Sequence, residues 1–179
     1  MSVEAILASI QDSALAEWMR NTSPAMPIVE ATHVLAAVMV FGTVMIADLR
    51  LLGLADSTRP FSRVGRETLR LTWLAFGVSV ITGSLMFTTS AQTYFANAAF
   101  QLKALALVGA GLNMTLFQLV TARALPTWDA SGPPPRAARA AGFISLLLWA
   151  AVVLLGRWIG FTKGYDFTIP PGVDLTVPG

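Results

Sequence analysis

The chain holds one histidine, His33, which stands in an uncharged apolar run three residues after Glu30. On a helix at about 100° per residue, Glu30, His33, Ala37, Phe41, Val44 and Asp48 fall on one stripe about 80° wide. A charge facing lipid costs about 2.5–3.5 kcal/mol on insertion scales, so this stripe is expected to face protein. A neutral imidazole there can ligate haem iron through one ring nitrogen while Glu30 or a backbone carbonyl fixes the other. Lys103 and Arg157, near the ends of two further apolar runs, can pair with propionate carboxylates. Haem b is therefore the first candidate cofactor. Its site is His33, Glu30, Lys103 and Arg157, and the other axial ligand is Met, Lys, water or the His33 of a second subunit. Copper is the second candidate, with Met26, Met86 and His33 as soft donors, although 7 methionines in 179 residues are not a copper-rich pattern. A third class has no cofactor: the pocket holds a quinone headgroup, a proton or a partner subunit.

The same side chains also have structural readings. Glu30 with Lys103 or Arg157 makes an interhelix ion pair. Lys103 and Arg157 mark the membrane boundary and snorkel, as does Arg50, which lies off the stripe. Asp48 beside Arg50 anchors a helix end, at a site separate from His33. Other chemistries find less support. Glu-x-x-His is half of a di-iron ligand set, but the remaining apolar runs carry no Asp or Glu to complete it. Cysteine is absent, which removes thiolate sites and disulfides. No P-loop, dinucleotide glycine fingerprint or Gly-x-Ser-x-Gly elbow occurs, and Ser84 and Ser90 are poor partners for a Ser–His dyad.

The elements that must position these residues follow from the missing charge. Hydrophobic residues make up 55% and charged residues 12% of the chain. That is about half the charge of a soluble domain, so a membrane is the expected solvent. Uncharged runs cover Ala31–Ala47, Leu71–Leu102, Ala104–Ala122 and Ala140–Gly156. A crossing helix needs about 20 apolar residues. Spans are expected at 28–50, 70–89, 99–123 and 140–162, with a loop over Ser90–Ala98. Lys103, Ala110, Asn113 and Thr121 share a face of the third span; Thr72, Ser79, Thr82 and Met86 share one of the second. Gly109-Ala110-Gly111 offers a small-residue contact patch, and such faces favour a homo-oligomer or a larger membrane complex.

Of 12 Lys and Arg residues, Arg50, Arg59, Arg63, Arg66, Arg70, Arg123, Arg136 and Arg139 fall in or beside two connections. The positive-inside rule puts those connections in the cytoplasm and both termini outside, across a bacterial inner membrane. A net charge of +2 reads as this topology bias, with no nucleic-acid partner. Residues 1–24 lack the pattern of a signal peptide. They are expected to form one amphipathic helix lying on the outer surface, with Val3, Ile6, Leu7, Ile10, Ala14 and Trp18 on its apolar face. The bundle occupies 25–162. Gly132-Pro133-Pro134-Pro135, after Trp128 and Asp129, is a rigid connector, and 163–179 an extended proline-rich tail.

Several short pieces carry a resemblance. Ile28-Val29-Glu30-Ala31-Thr32-His33, Gly42 and Ala47-Asp48-Leu49-Arg50-Leu51-Leu52-Gly53 resemble a family of uncharacterised four-span bacterial membrane proteins. Thr82-Gly83-Ser84-Leu85-Met86-Phe87, and Asn97-Ala98-Ala99-Phe100-Gln101-Leu102-Lys103 with Asn113, are similar to the CopD-type copper-resistance membrane domain and its cytochrome-b-like relatives. The resemblance covers roughly residues 25–160 and implies an all-α four-helix bundle with a haem or copper role, in electron transfer or metal handling. A single histidine departs from a bis-histidine cytochrome. The reading is a haem- or metal-binding membrane protein built around His33; the alternative is a cofactor-free anchor or accessory subunit.

Overall fold

A computed structural model describes residues 2–55, 61–121, 129 and 134–162, with backbone only for 63–67 and 121. Its elements are all helical. They run α1 (Val3–Gln11), α2 (Ala14–Asn21), α3 (Ala25–Leu52), α4 (Phe61–Thr88), α5 (Ala91–Ala96) and α6 (Ala98–Leu116), which continues as a π-helical turn (Phe117–Thr121), then α7 (Arg136–Thr162). Four stretches are long and apolar enough to cross a membrane: Ala25–Leu52, Thr68–Thr88, Ala98–Val120 and Arg136–Thr162. Leu35, Leu74, Leu105 and Leu154, one on each, are all about two-thirds exposed or more. A surface of bare leucine is unsuited to water and suited to lipid. The chain is a multi-pass membrane protein.

The long helices pack as a row, α4 against α3, α3 against α7, and α7 against α6. Among the described residues no comparably close interface joins α4 to α6; that side is bridged by aromatic rings at its two ends. Phe87 of α4 stacks on Phe100 of α6 at 5.5 Å. Phe61 meets Phe117 edge-on at 5.7 Å at the other end. The two ends of the bundle differ in their ties. At one, Asp129 accepts from the Ser62 amide through both carboxylate oxygens at 3.2 Å, stitching the α6–α7 connection to the start of α4. α3 stops there at Gly53, whose φ of 76° is the left-handed conformation that ends helices cheaply only in glycine. At the other end Arg20 donates to Gln11 O and Thr89 O, and Gln11 Oε1 accepts from the Gln92 amide. This holds α1 and α2 over the end of α4.

Three local expectations are corrected. Residues 1–24 form two helices, because the Ser13 side chain accepts from the Ala16 amide and starts a new helix. The break turns the apolar face: Ala16 and Met19 are buried, while Trp18 is exposed. Ser90–Ala98, expected as a loop, contains α5, and Tyr94 packs there with Phe87 and Phe100. Arg50 does not snorkel; it is only 4% exposed, with a partner of its own. The rigid connector lies largely outside the described residues, and the 163–179 tail wholly so.

Candidate functional site

His33 sits about two turns into α3, on the flank that meets α4. Around His33 the fully packed line of α3 is Ala36, Val40 and Thr43, rotated by one residue from the expected stripe; farther along, Asp48 of that stripe is buried too, with Arg50 and Leu51. His33 is consequently half-buried, and Glu30, a turn nearer the helix end, is exposed. The imidazole Nδ1 lies 3.0 Å from Ser79 O and 3.0 Å from Thr82 Oγ1, both on α4. A carbonyl can only accept. The Thr82 hydroxyl hydrogen is directed to Val78 O at 2.7 Å, so Thr82 also presents lone pairs to the ring. Two acceptors at one nitrogen require Nδ1 to carry the hydrogen. In a neutral imidazole Nε2 then keeps its lone pair. Gly83 makes this possible: a Cβ there would stand 3.0 Å from His33 Cε1 and 3.4 Å from Nδ1. Ser79 Oγ, on the residue whose carbonyl holds the ring, is buried without a hydrogen-bond partner.

Lys103 enters from α6. It too is half-buried, and its Nζ lies 3.4 Å from where a Cβ would stand on Gly156 of α7. Lys103 and Glu30 are the charges that act through space on the imidazole. The contacts place His33 against α4 and Lys103 against α7; the two side chains feel each other's charge and share no contact. Arg157 is not gathered in. It is exposed, with its guanidinium 5.1 Å from the centre of the Phe161 ring one turn along the same helix. Met86 is half-buried one turn beyond Thr82, on the face of α4 that meets His33; Met26 is half-buried in the first turn of α3. Among the described residues no three His, Cys, Asp or Glu side chains cluster.

The ring is fixed by a carbonyl and a threonine, not by Glu30. Ser79 and Thr82 were visible as the polar face of the second span. Gly83 and Gly156 were not singled out, although glycine opposite a large polar side chain is the signal for close approach.

Residues 26–162 match a family of unknown function, DUF6644, and the chain belongs to that family. No curated protein and no solved structure matches the chain, so the likeness to copper-resistance and cytochrome-b membrane domains rests on the short sequence pieces alone.

Proposed function

We propose that this member of the DUF6644 family binds haem b in the half of its bundle that holds His33, where Nε2 would hold the iron. The observation that carries the reading is a pair of acceptors at one ring nitrogen: Ser79 O and Thr82 Oγ1 each lie 3.0 Å from Nδ1, which places the hydrogen of a neutral imidazole there and leaves Nε2 its lone pair. Ligating histidines are held in this way by a carbonyl on the far nitrogen. The donor set favours haem over a bare ion. A bare ion asks the protein for three or four ligands, and no such cluster of His, Cys, Asp or Glu is found among the described residues. A haem brings four nitrogens and asks for one or two. Lys103 supplies a cation for a propionate, and the α4–α6 side, lacking close helix contact, gives a flat ligand a way in from the bilayer. When bound, the haem would supply one-electron chemistry; His33 would hold it and Lys103 would neutralise a carboxylate. Copper is the second reading, supported by Met86 on the same face of α4 as Thr82. In both, the arginine-rich end faces the cytoplasm and the α1–α2 end the outside of a bacterial inner membrane.

The test is the absorption spectrum of the detergent-purified protein, oxidised and dithionite-reduced, with metal analysis of the same sample. A Soret band lost in His33→Ala is the expected result. Stoichiometric copper without a Soret band replaces haem by the His33/Met86 site. A colourless, metal-free protein after expression with added haem and copper overturns both, and leaves the anchor or accessory subunit.

A further inference from the structure

The second ionisable group of α3 lies fifteen residues after His33, about 22 Å along the helix. Asp48 is 5% exposed. Its side-chain hydrogen-bond partner is the Ser145 hydroxyl of α7. Its other oxygen, Oδ2, is buried with no hydrogen-bond partner. The helices are sealed around it. At Gly142 of α7 an added Cβ would stand 3.1 Å from Asp48 O and 3.0 Å from Leu51 Cβ, which is contact between backbones.

Among the described residues the neighbouring charges do not neutralise it. From α7, Arg136 and Arg139 are exposed, and from α4, Arg70 is exposed. Arg50, two residues on, leaves α3 about 200° round from Asp48 and has its own partner. From α6, Asn113 donates to Ala141 O at 3.0 Å. Among the described residues no basic side chain forms an ion pair with Asp48. An ionised carboxylate with one bare oxygen in such a place is unpaired buried charge, which proteins avoid by neutralising the group. A sodium ion would need several more oxygen ligands than one serine supplies. A carboxylic acid fits: its O–H donates to Ser145 Oγ, and Oδ2 becomes a bare carbonyl oxygen, the cheapest kind of unsatisfied polar atom.

We propose that Asp48 is a proton-binding site, occupied in this packed arrangement and closed by the Gly142 contact between α3 and α7. The proton is taken from water at the arginine-rich end. Its release requires α3 and α7 to part at Gly142 so that water can reach the carboxylate. The site is independent of whatever His33 binds.

Infrared spectroscopy of the whole protein in lipid vesicles at neutral pH tests this. The expected result is a carboxylic-acid C=O band that shifts in D2O and disappears in Asp48→Asn. Ser145→Ala should keep the band and raise its frequency, because one hydrogen bond is lost; this variant serves if Asp48→Asn does not fold. Absence of the band at neutral pH, or its indifference to both substitutions, overturns the proposal. So does a carboxylate band that responds to exchange of choline for sodium, since Asp48 is then ionised around a cation.

Discussion

His33 and Asp48 share one helix and were subject to one rule, that a polar group in a span must face protein. They end in opposite settings. His33 meets α4 where Ser79 and Thr82 offer acceptors and Gly83 offers room, and it keeps one ring nitrogen unspent. Asp48 meets α7 where Gly142 draws the backbones together, and its carboxyl is shut in with one serine. A glycine stands opposite each. At His33 the glycine makes space for a side chain; at Asp48 it removes space between helices. The first arrangement leaves one ring nitrogen available; the second leaves one carboxyl oxygen buried without a partner.

The sharpest way to break this contrast is to put a side chain at the sealed end. Gly142→Val places its Cβ against Leu51 Cβ and Asp48 O, which cannot swing aside as a free side chain would. Overpacking of this kind costs about 1–3 kcal/mol or more. The thermal unfolding midpoint in detergent should fall clearly. Gly111→Val, where nothing lies within 4 Å, is the control and should leave the midpoint almost unchanged. Equal effects from the two would mean that α3 and α7 are not sealed at Gly142.

At the His33 site the same kind of change should harm binding more than stability. Gly83→Ala sets a methyl 3.0 Å from His33 Cε1, and the imidazole can yield by a few tenths of an ångström. Haem occupancy, read from the Soret absorbance per protein, should fall severalfold with little shift in melting. Lys103→Gln should lower occupancy less, and Arg157→Gln not at all, because that guanidinium sits over Phe161 on the outside. A large loss with Arg157→Gln would put Arg157 back among the ligand's contacts.

These differences show where sequence reading stops. Charge-free runs reveal the four apolar helices because a missing charge is a property of one segment. The polar stripe of α3 likewise brought Glu30, His33 and Asp48 forward. Which member of the stripe is open and which is sealed depends on the partner helix, and helix pairing is not written in one segment's periodicity. Glu30 is exposed where the packed line runs through Ala36, Val40 and Thr43, one residue off the polar stripe; at the far end of the helix both Asp48 and Arg50 are buried. The break between α1 and α2 was more nearly legible, since Ser13 is a good cap residue. The run of apolar positions across it favoured one helix.

The smallest expected effect lies between the two sites. Thr72 Oγ1 donates to Thr43 Oγ1 at 2.8 Å, while Thr43 itself donates to the α3 carbonyls of Met39 and Val40. This bond ties α4 to α3 on the arginine-rich side of a middle packed by Val40 and Ala75. Interhelix hydrogen bonds in membranes average about 0.6 kcal/mol, so Thr43→Val and Thr72→Val should each lower stability slightly. In a double-mutant cycle their effects should couple by about that amount. Neither change should move haem occupancy or the Asp48 infrared band, because Ala75 and Val40 interrupt any chain of hydroxyls linking Asp48 to His33. If either substitution alters both readouts together, water bridges the apolar middle and the two sites are ends of one path, which would remove the contrast between an open site and a sealed one.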